Sequence, residues 1–224
     1  MEVLYEDNHI IAVNKRNSDI VQGDKTGDEP LPEMIKRYLK EKYNKPGNVF
    51  CGVAHRLDRP VSGVVLFART SKALARLNEL FQTHAMTKTY WAIVKQTPDE
   101  PVGRLEHYLI RNEKQNKSYV YDTPRAGAKR ALLSYKTVAK SDNYTLLEIE
   151  LETGRHHQIR AQLAQMGCPI KGDLKYGFPR SNPDGGISLH ARSLAFIHPV
   201  SQEQMKLVAP VPDDKLWHYI TKGL

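Results

Sequence analysis

His55-Arg56-Leu57-Asp58-Arg59-Pro60-Val61-Ser62-Gly63 runs straight into Val64-Val65-Leu66-Phe67-Ala68, and this stretch decides how the rest of the chain is read. One carboxylate stands among two arginines and a histidine. A Pro and a Gly stiffen and turn the loop, and the apolar run that follows makes a strand. An acid is thereby held on a loop at the mouth of a sheet. Neighbouring cations lower a carboxylate's pKa and keep it ionised, the state in which it acts as nucleophile or charge stabiliser. The plain alternative is an ordinary salt-bridged loop.

On the N-terminal side, Val3–Glu6 and Ile10–Asn14 read as strands broken by Asp7-Asn8, followed by a polar loop over 17–30. The spacing of Met34, Ile35, Tyr38 and Leu39 predicts a helix from Pro32 to about Tyr43. Beyond Ala68, Thr70 or Ser71 caps a helix to about His84, with Leu74, Leu77, Leu80 and Phe81 as its apolar stripe. A strand over 89–94 and a Pro-rich connection over 96–103 lead to four strands, 105–111, 117–122, 130–139 and 144–152, expected as an antiparallel meander. Gly154 then turns the chain into a helix from about His156 to Met166, stopped by Gly167 and Pro169. A loop over 171–187, strands at 188–197 and 204–209 and a helix near 214–222 complete it. With no repeat or composition break, the expectation is one α/β domain of α+β type, 1–224, with a largely antiparallel mixed sheet flanked by helices and loops.

A chain of 224 residues with 40% hydrophobic and 26% charged residues has the balance of a soluble globular protein. No apolar run reaches the length of a membrane span. Met1–Asp7 lacks the basic and apolar regions of a signal peptide, so a cytoplasmic protein is expected. Cys51 and Cys168 have no metal-ligand spacing and read as reduced thiols. The excess of 33 Lys+Arg over 25 Asp+Glu, net +8, suits a polyanionic partner such as nucleic acid.

Gly154-Arg155-His156-His157-Gln158-Ile159-Arg160 packs two arginines and two histidines at a strand-to-helix turn, where free N–H groups favour anions. A helix there puts His156 and Arg160 on one face. Adjacent histidines diverge and do not make a metal pair. No phosphate-cradling glycine motif opens a helix, and no nucleophile elbow occurs. Tyr90, taken alone, is an ordinary strand aromatic. Lys171–Gly177 is a basic-aromatic loop that suits a sugar-phosphate backbone or a plain surface turn.

Taken in order, these strings resemble the RluA family of pseudouridine synthases. The resemblance rests on H-R-L-D-x-x-[TS]-S-G at His55–Gly63, with Val61 where Thr is usual. It also rests on K-x-Y-x-A at Lys88–Ala92, G-R-x-H-Q-[IL]-R at Gly154–Arg160, G-D-x-x-Y-G at Gly172–Gly177 and L-H-A-x-x-L-x-F-x-H-P at Leu189–Pro199. Since the chain begins at the catalytic domain's first strand, it resembles the short members without an S4 domain. Arg59-Pro60 is similar to the tRNA-directed branch.

The resemblance implies a pseudouridine-synthase catalytic domain that isomerises uridines of tRNA or ribosomal RNA without metal or cofactor. It implies Asp58 as the catalytic carboxylate, Arg160 as its ion-pair partner, and Tyr90 stacked on the uracil. Arg56 is expected to fill the space of a flipped base, with His55, Arg155, His157 and Lys171 binding the RNA. A monomer that touches no membrane is expected. Two other classes stay open: a non-catalytic basic RNA-binding module, and a phosphodiester-cleaving enzyme using His156 or His157.

Overall fold

A computed structural model describes residues 1–224. The chain forms, in order, β1 (Glu2–Glu6), β2 (Ile10–Lys15), α1 (Leu31–Lys42), β3 (Gly52–Val53), β4 (Ser62–Ala68) and α2 (Ser71–Gln82). Next come β5 (Thr87–Val94), β6 (Val102–Asn112), β7 (Lys117–Tyr121), β8 (Lys129–Lys140), β9 (Thr145–Leu151) and α3 (Gln158–Gln165). β10 (Leu189–Ile197), β11 (Gln204–Val208) and α4 (Lys215–Ile220) close the chain. These elements belong to two compact units, Met1–Thr87 with Ala191–Pro210, and Lys88–His190 with Val211–Leu224. Each unit is assembled from segments far apart in sequence, which is why no break in composition marks them. No helix is long and apolar enough to cross a membrane.

In the first unit the strand order is β1-β2-β4-β10, with β11 beside β10 and β3 beside β4. β1 and β2, β2 and β4, β3 and β4, and β10 and β11 all pair antiparallel. Every residue of β4 is buried, because both faces of the sheet are covered. Ile10, Ala12, Val64 and Leu66 pack with Ala73 and Leu77 of α2. Their neighbours Ile11, Val13, Val65 and Phe67 pack with Leu31, Ile35 and Leu39 of α1. Two covered faces account for the unbroken apolar run after Gly63. Of the two expected caps it is Thr70 that holds α2, its Oγ1 accepting from Ala73 N at 3.1 Å. The short strand β3 was not foreseen, since Gly52-Val53 reads as a turn in isolation.

The second unit orders its strands β5-β9-β8-β6-β7, each pair antiparallel. The expected meander is therefore corrected: β8 returns to β6, not to β7. β6 is long enough to serve two partners, Val102–Leu109 facing β8 and Tyr108–Asn112 facing β7. Trp91, Ile93 and Leu146 pack with Trp217 and Ile220 of α4, and Leu109 and Ala131 with Ala161 of α3. The start of α3 also differs from expectation. His157 takes a left-handed conformation (φ 53°) and caps the helix, so α3 begins at Gln158. His156 is outside it, and does not share a helical face with Arg160. The end of α3 is as expected, with Gly167 at φ 81° just past it.

Candidate active site

The loop carrying Asp58 belongs to the first unit and is fastened from beneath by Lys15. This lysine is fully buried at the end of β2. Its Nζ donates to the carbonyls of Arg59 at 2.9 Å, Val61 at 2.7 Å and Arg16 at 3.0 Å. Val61 N donates to the Asp58 carbonyl at 3.0 Å, closing a turn, and Ser18 N donates to the Arg59 carbonyl at 3.1 Å. Burial pushes the Lys15 ammonium down to about 8, although the charges of Asp19 and Asp58 act in the opposite direction. The turn that presents Asp58 thus hangs on two bonds to one lysine, whose third bond goes to its own neighbour Arg16.

The arginines flanking Asp58 are turned to other acceptors. The Arg59 fork donates to Asp28 at 2.6 Å and to Asp24 at 2.8 Å, tying the turn to the polar loop before α1. The exposed Arg56 donates through Nη1 to the side-chain oxygen of Gln22. His55 accepts the N–H of Leu66 on Nε2 at 2.9 Å and stacks on Phe81 with centroids 4.6 Å apart. It anchors the loop to β4. Gly63, at φ 115°, lies so close to Ala191 that an added Cβ would fall 2.2 Å from its carbonyl oxygen.

Arg160 and Tyr90 belong to the second unit. Arg160 is buried on α3 and clamped by Asp173, Nε to Oδ2 at 2.7 Å and Nη2 to Oδ1 at 2.9 Å. Its guanidinium carbon also lies 5.2 Å from the centre of the Tyr176 ring. The Tyr176 hydroxyl accepts the N–H of Ser118 at 2.8 Å and meets Nδ1 of His157 at 2.9 Å. The hydroxyl also lies 3.4 Å from the Ser118 carbonyl, to which it can donate. Burial first, and the charge of Arg160 next, push His157 down to about 2. His156 and His157 do not diverge: the left-handed backbone stacks their rings 3.8 Å apart. His157 is buried and engaged by Tyr176.

Gln158 holds the turn before α3 by accepting from Arg155 N at 2.9 Å and donating to the Leu132 carbonyl at 2.9 Å. Arg155 itself is exposed, with Nε on the carbonyl of Arg130 at 2.9 Å. The Lys171 ammonium donates to Asn182 Oδ1 at 2.5 Å, which fixes the loop that carries Asp173. Tyr90 is half-buried in β5, opposite Ile149 of β9. Two residues of weight escaped the reading of the sequence. Asp173 stands inside the G-D-x-x-Y-G string, which marked it as a motif residue, but only the fold shows that it faces the buried Arg160. Lys15 had no such signal, because lysine at a strand end is ordinarily a surface residue.

The family model for RNA pseudouridylate synthase matches residues 9–165. A tRNA pseudouridine synthase C of Vibrio parahaemolyticus is 30% identical over 231 residues, covering 95% of this chain and 91% of that protein. A ribosomal large subunit pseudouridine synthase D of Zymomonas mobilis is 30% identical, covering 96% of this chain and 70% of that one. Among solved structures, human RNA Pseudouridylate Synthase Domain Containing 4 shares the fold with a TM-score of 0.80 at 23% identity, over 95% of this chain and 89% of its own.

Proposed function

This chain belongs to the RNA pseudouridylate synthase family, whose members are isomerases, and from that premise we propose that it converts particular uridines of tRNA or ribosomal RNA to pseudouridine with Asp58 as the catalytic carboxylate. In that reaction the N1–C1′ bond breaks, the uracil rotates, and C5 bonds to C1′. Nothing is oxidised and no group is added, so the chemistry asks for no redox partner. A single carboxylate can attack C1′ or assist departure of the base, stabilising positive character on the sugar as glycosidase carboxylates do. The base leaves as an anion and is retained, so water has to be kept from C1′.

The observation that supports this reading best is the Lys15 clamp beneath Asp58. Two bonds from Lys15 hold the turn, and both flanking arginines bond acceptors outside it, so the acid stands on a fixed backbone. Preorganisation of that kind is what a reacting group needs and what a salt-bridged surface loop does without. In this reading Arg160, itself fixed by Asp173, pairs with Asp58 and orients it. Tyr90 stacks on the uracil, and its hydroxyl moves the proton at C2′. Arg56 exchanges Gln22 for the space of a flipped base, and Arg155 holds a phosphate.

Tritium release from RNA labelled at uridine C5 tests the proposal, because that hydrogen is lost when the new bond forms. The RNA is taken from cells lacking this protein, with tRNA and ribosomal RNA assayed separately. Release by the wild type and none by Asp58→Ala is expected. Release by both removes Asp58 from the mechanism, and tight binding without release from either RNA supports a binding module.

A further inference from the structure

Strand alternation sends Lys88, Tyr90 and Ala92 to one face of β5. Lys88 is only 8% exposed. No carboxylate, carbonyl or hydroxyl accepts a bond from its ammonium. Burial alone lowers its pKa, with no neighbouring charge contributing. Lysine is almost never buried without a partner, because taking an ammonium out of water costs more than packing its stem returns. The other buried cations of this protein are satisfied, Lys15 by three carbonyls and Arg160 by Asp173. The Lys88 Nζ is also not one of the sealed polar atoms that lack a partner, so it meets solvent. It is a reachable cation with an open coordination shell, two residues along the strand from Tyr90.

We propose that Lys88 is an anion-binding residue that receives a phosphodiester of the RNA strand at the nucleotide seated on Tyr90. The inference rests on the reading of Tyr90 as the platform for the target base. Two residues of strand advance about 6.6 Å, a span comparable with that from a base to its own phosphate. A phosphodiester carries its charge throughout the cycle and matches a compact point charge. The departing uracil is an anion only briefly, and would leave Lys88 without a partner for most of the time.

Binding of separated tRNA and ribosomal RNA to the wild type, Lys88→Met and Lys88→Arg, measured between about 50 and 200 mM salt, tests this. Lys88→Met keeps the volume and removes the charge. It should bind about three- to tenfold more weakly, with a salt slope lower by about one. Turnover at limiting RNA should fall in step with the loss of affinity. Lys88→Arg should restore the slope. An unchanged slope in folded Lys88→Met overturns the proposal, as does a loss of turnover with binding intact, which would put the ammonium on the uracil. If the wild type itself shows neither salt-dependent RNA binding nor tritium release, the RNA reading fails first, a result distinguishable from any difference between the variants.

Discussion

At the scale of single residues, two charges are buried for different ends. Lys15 is burdened by desolvation and stays because three carbonyls need its protons. Its pKa in the folded chain, about 8, lies below the 10.5 of the unfolded one. Between those values the unfolded chain binds the proton that the folded chain has released, so this group makes stability rise with pH, by about 3 kcal/mol across the window. Activity should move the other way. A neutral amine has two N–H groups for three carbonyls and no charge facing Asp58, so tritium release should fall above about pH 8. Pairing pH profiles of unfolding and of turnover for the wild type and Lys15→Met checks both signs; the variant should lack the two limbs. Asp173 plays the converse part. Asp173→Ala leaves a buried guanidinium without its acid and should cost about 3–5 kcal/mol in urea unfolding.

At the scale of elements, each unit has one junction where backbone geometry does the positioning. In the first it is the entry to β4, where Gly63 combines φ 115° with backbone of Ala191 standing where a Cβ would go. Gly63→Ala should destabilise by about 3 kcal/mol or more, through left-handed strain and a clash with backbone that cannot rotate away; thermal unfolding measures it. In the second it is the entry to α3, where His157 in the left-handed region displaces the helix start and folds the two imidazoles together. The string Gly154–Arg160 signalled a turn into a helix, but neither the extra step before the helix nor the stacked rings. Those depend on Tyr176, whose hydroxyl is held by Ser118 of β7 and fixes the His157 ring.

At the scale of the whole molecule, the net charge of +8 predicts RNA binding that weakens as salt rises, because each phosphate contacted releases counterions. Arg155 is exposed, and the bond that it makes to the Arg130 carbonyl uses Nε. Arg155→Ala should therefore lower the salt slope by about one unit and weaken binding to different RNAs alike. Filter binding to tRNA and ribosomal RNA across a salt series reads both effects, and an unchanged slope would free Arg155 of any phosphate. Asp58→Ala should leave the slope as it is, since a carboxylate releases no counterion from RNA.

Sequence by itself determined the elements with a strong period and the family of the chain. The run Val64–Ala68, the stripe of α2, the Tyr144–Leu151 strand and the ordered motifs are local patterns, and local patterns are written in neighbouring residues. Tertiary structure alone decided which side chains those patterns serve. Whether Arg59 bonds the Asp24–Asp28 loop, whether a strand-end lysine is exposed or buried under a turn, and whether a histidine is exposed or buried against a tyrosine are settled by partners distant in the chain. A hydrogen bond or an ion pair is specified by where two groups meet in space, and sequence spacing carries that information only when both lie on one helix or one strand.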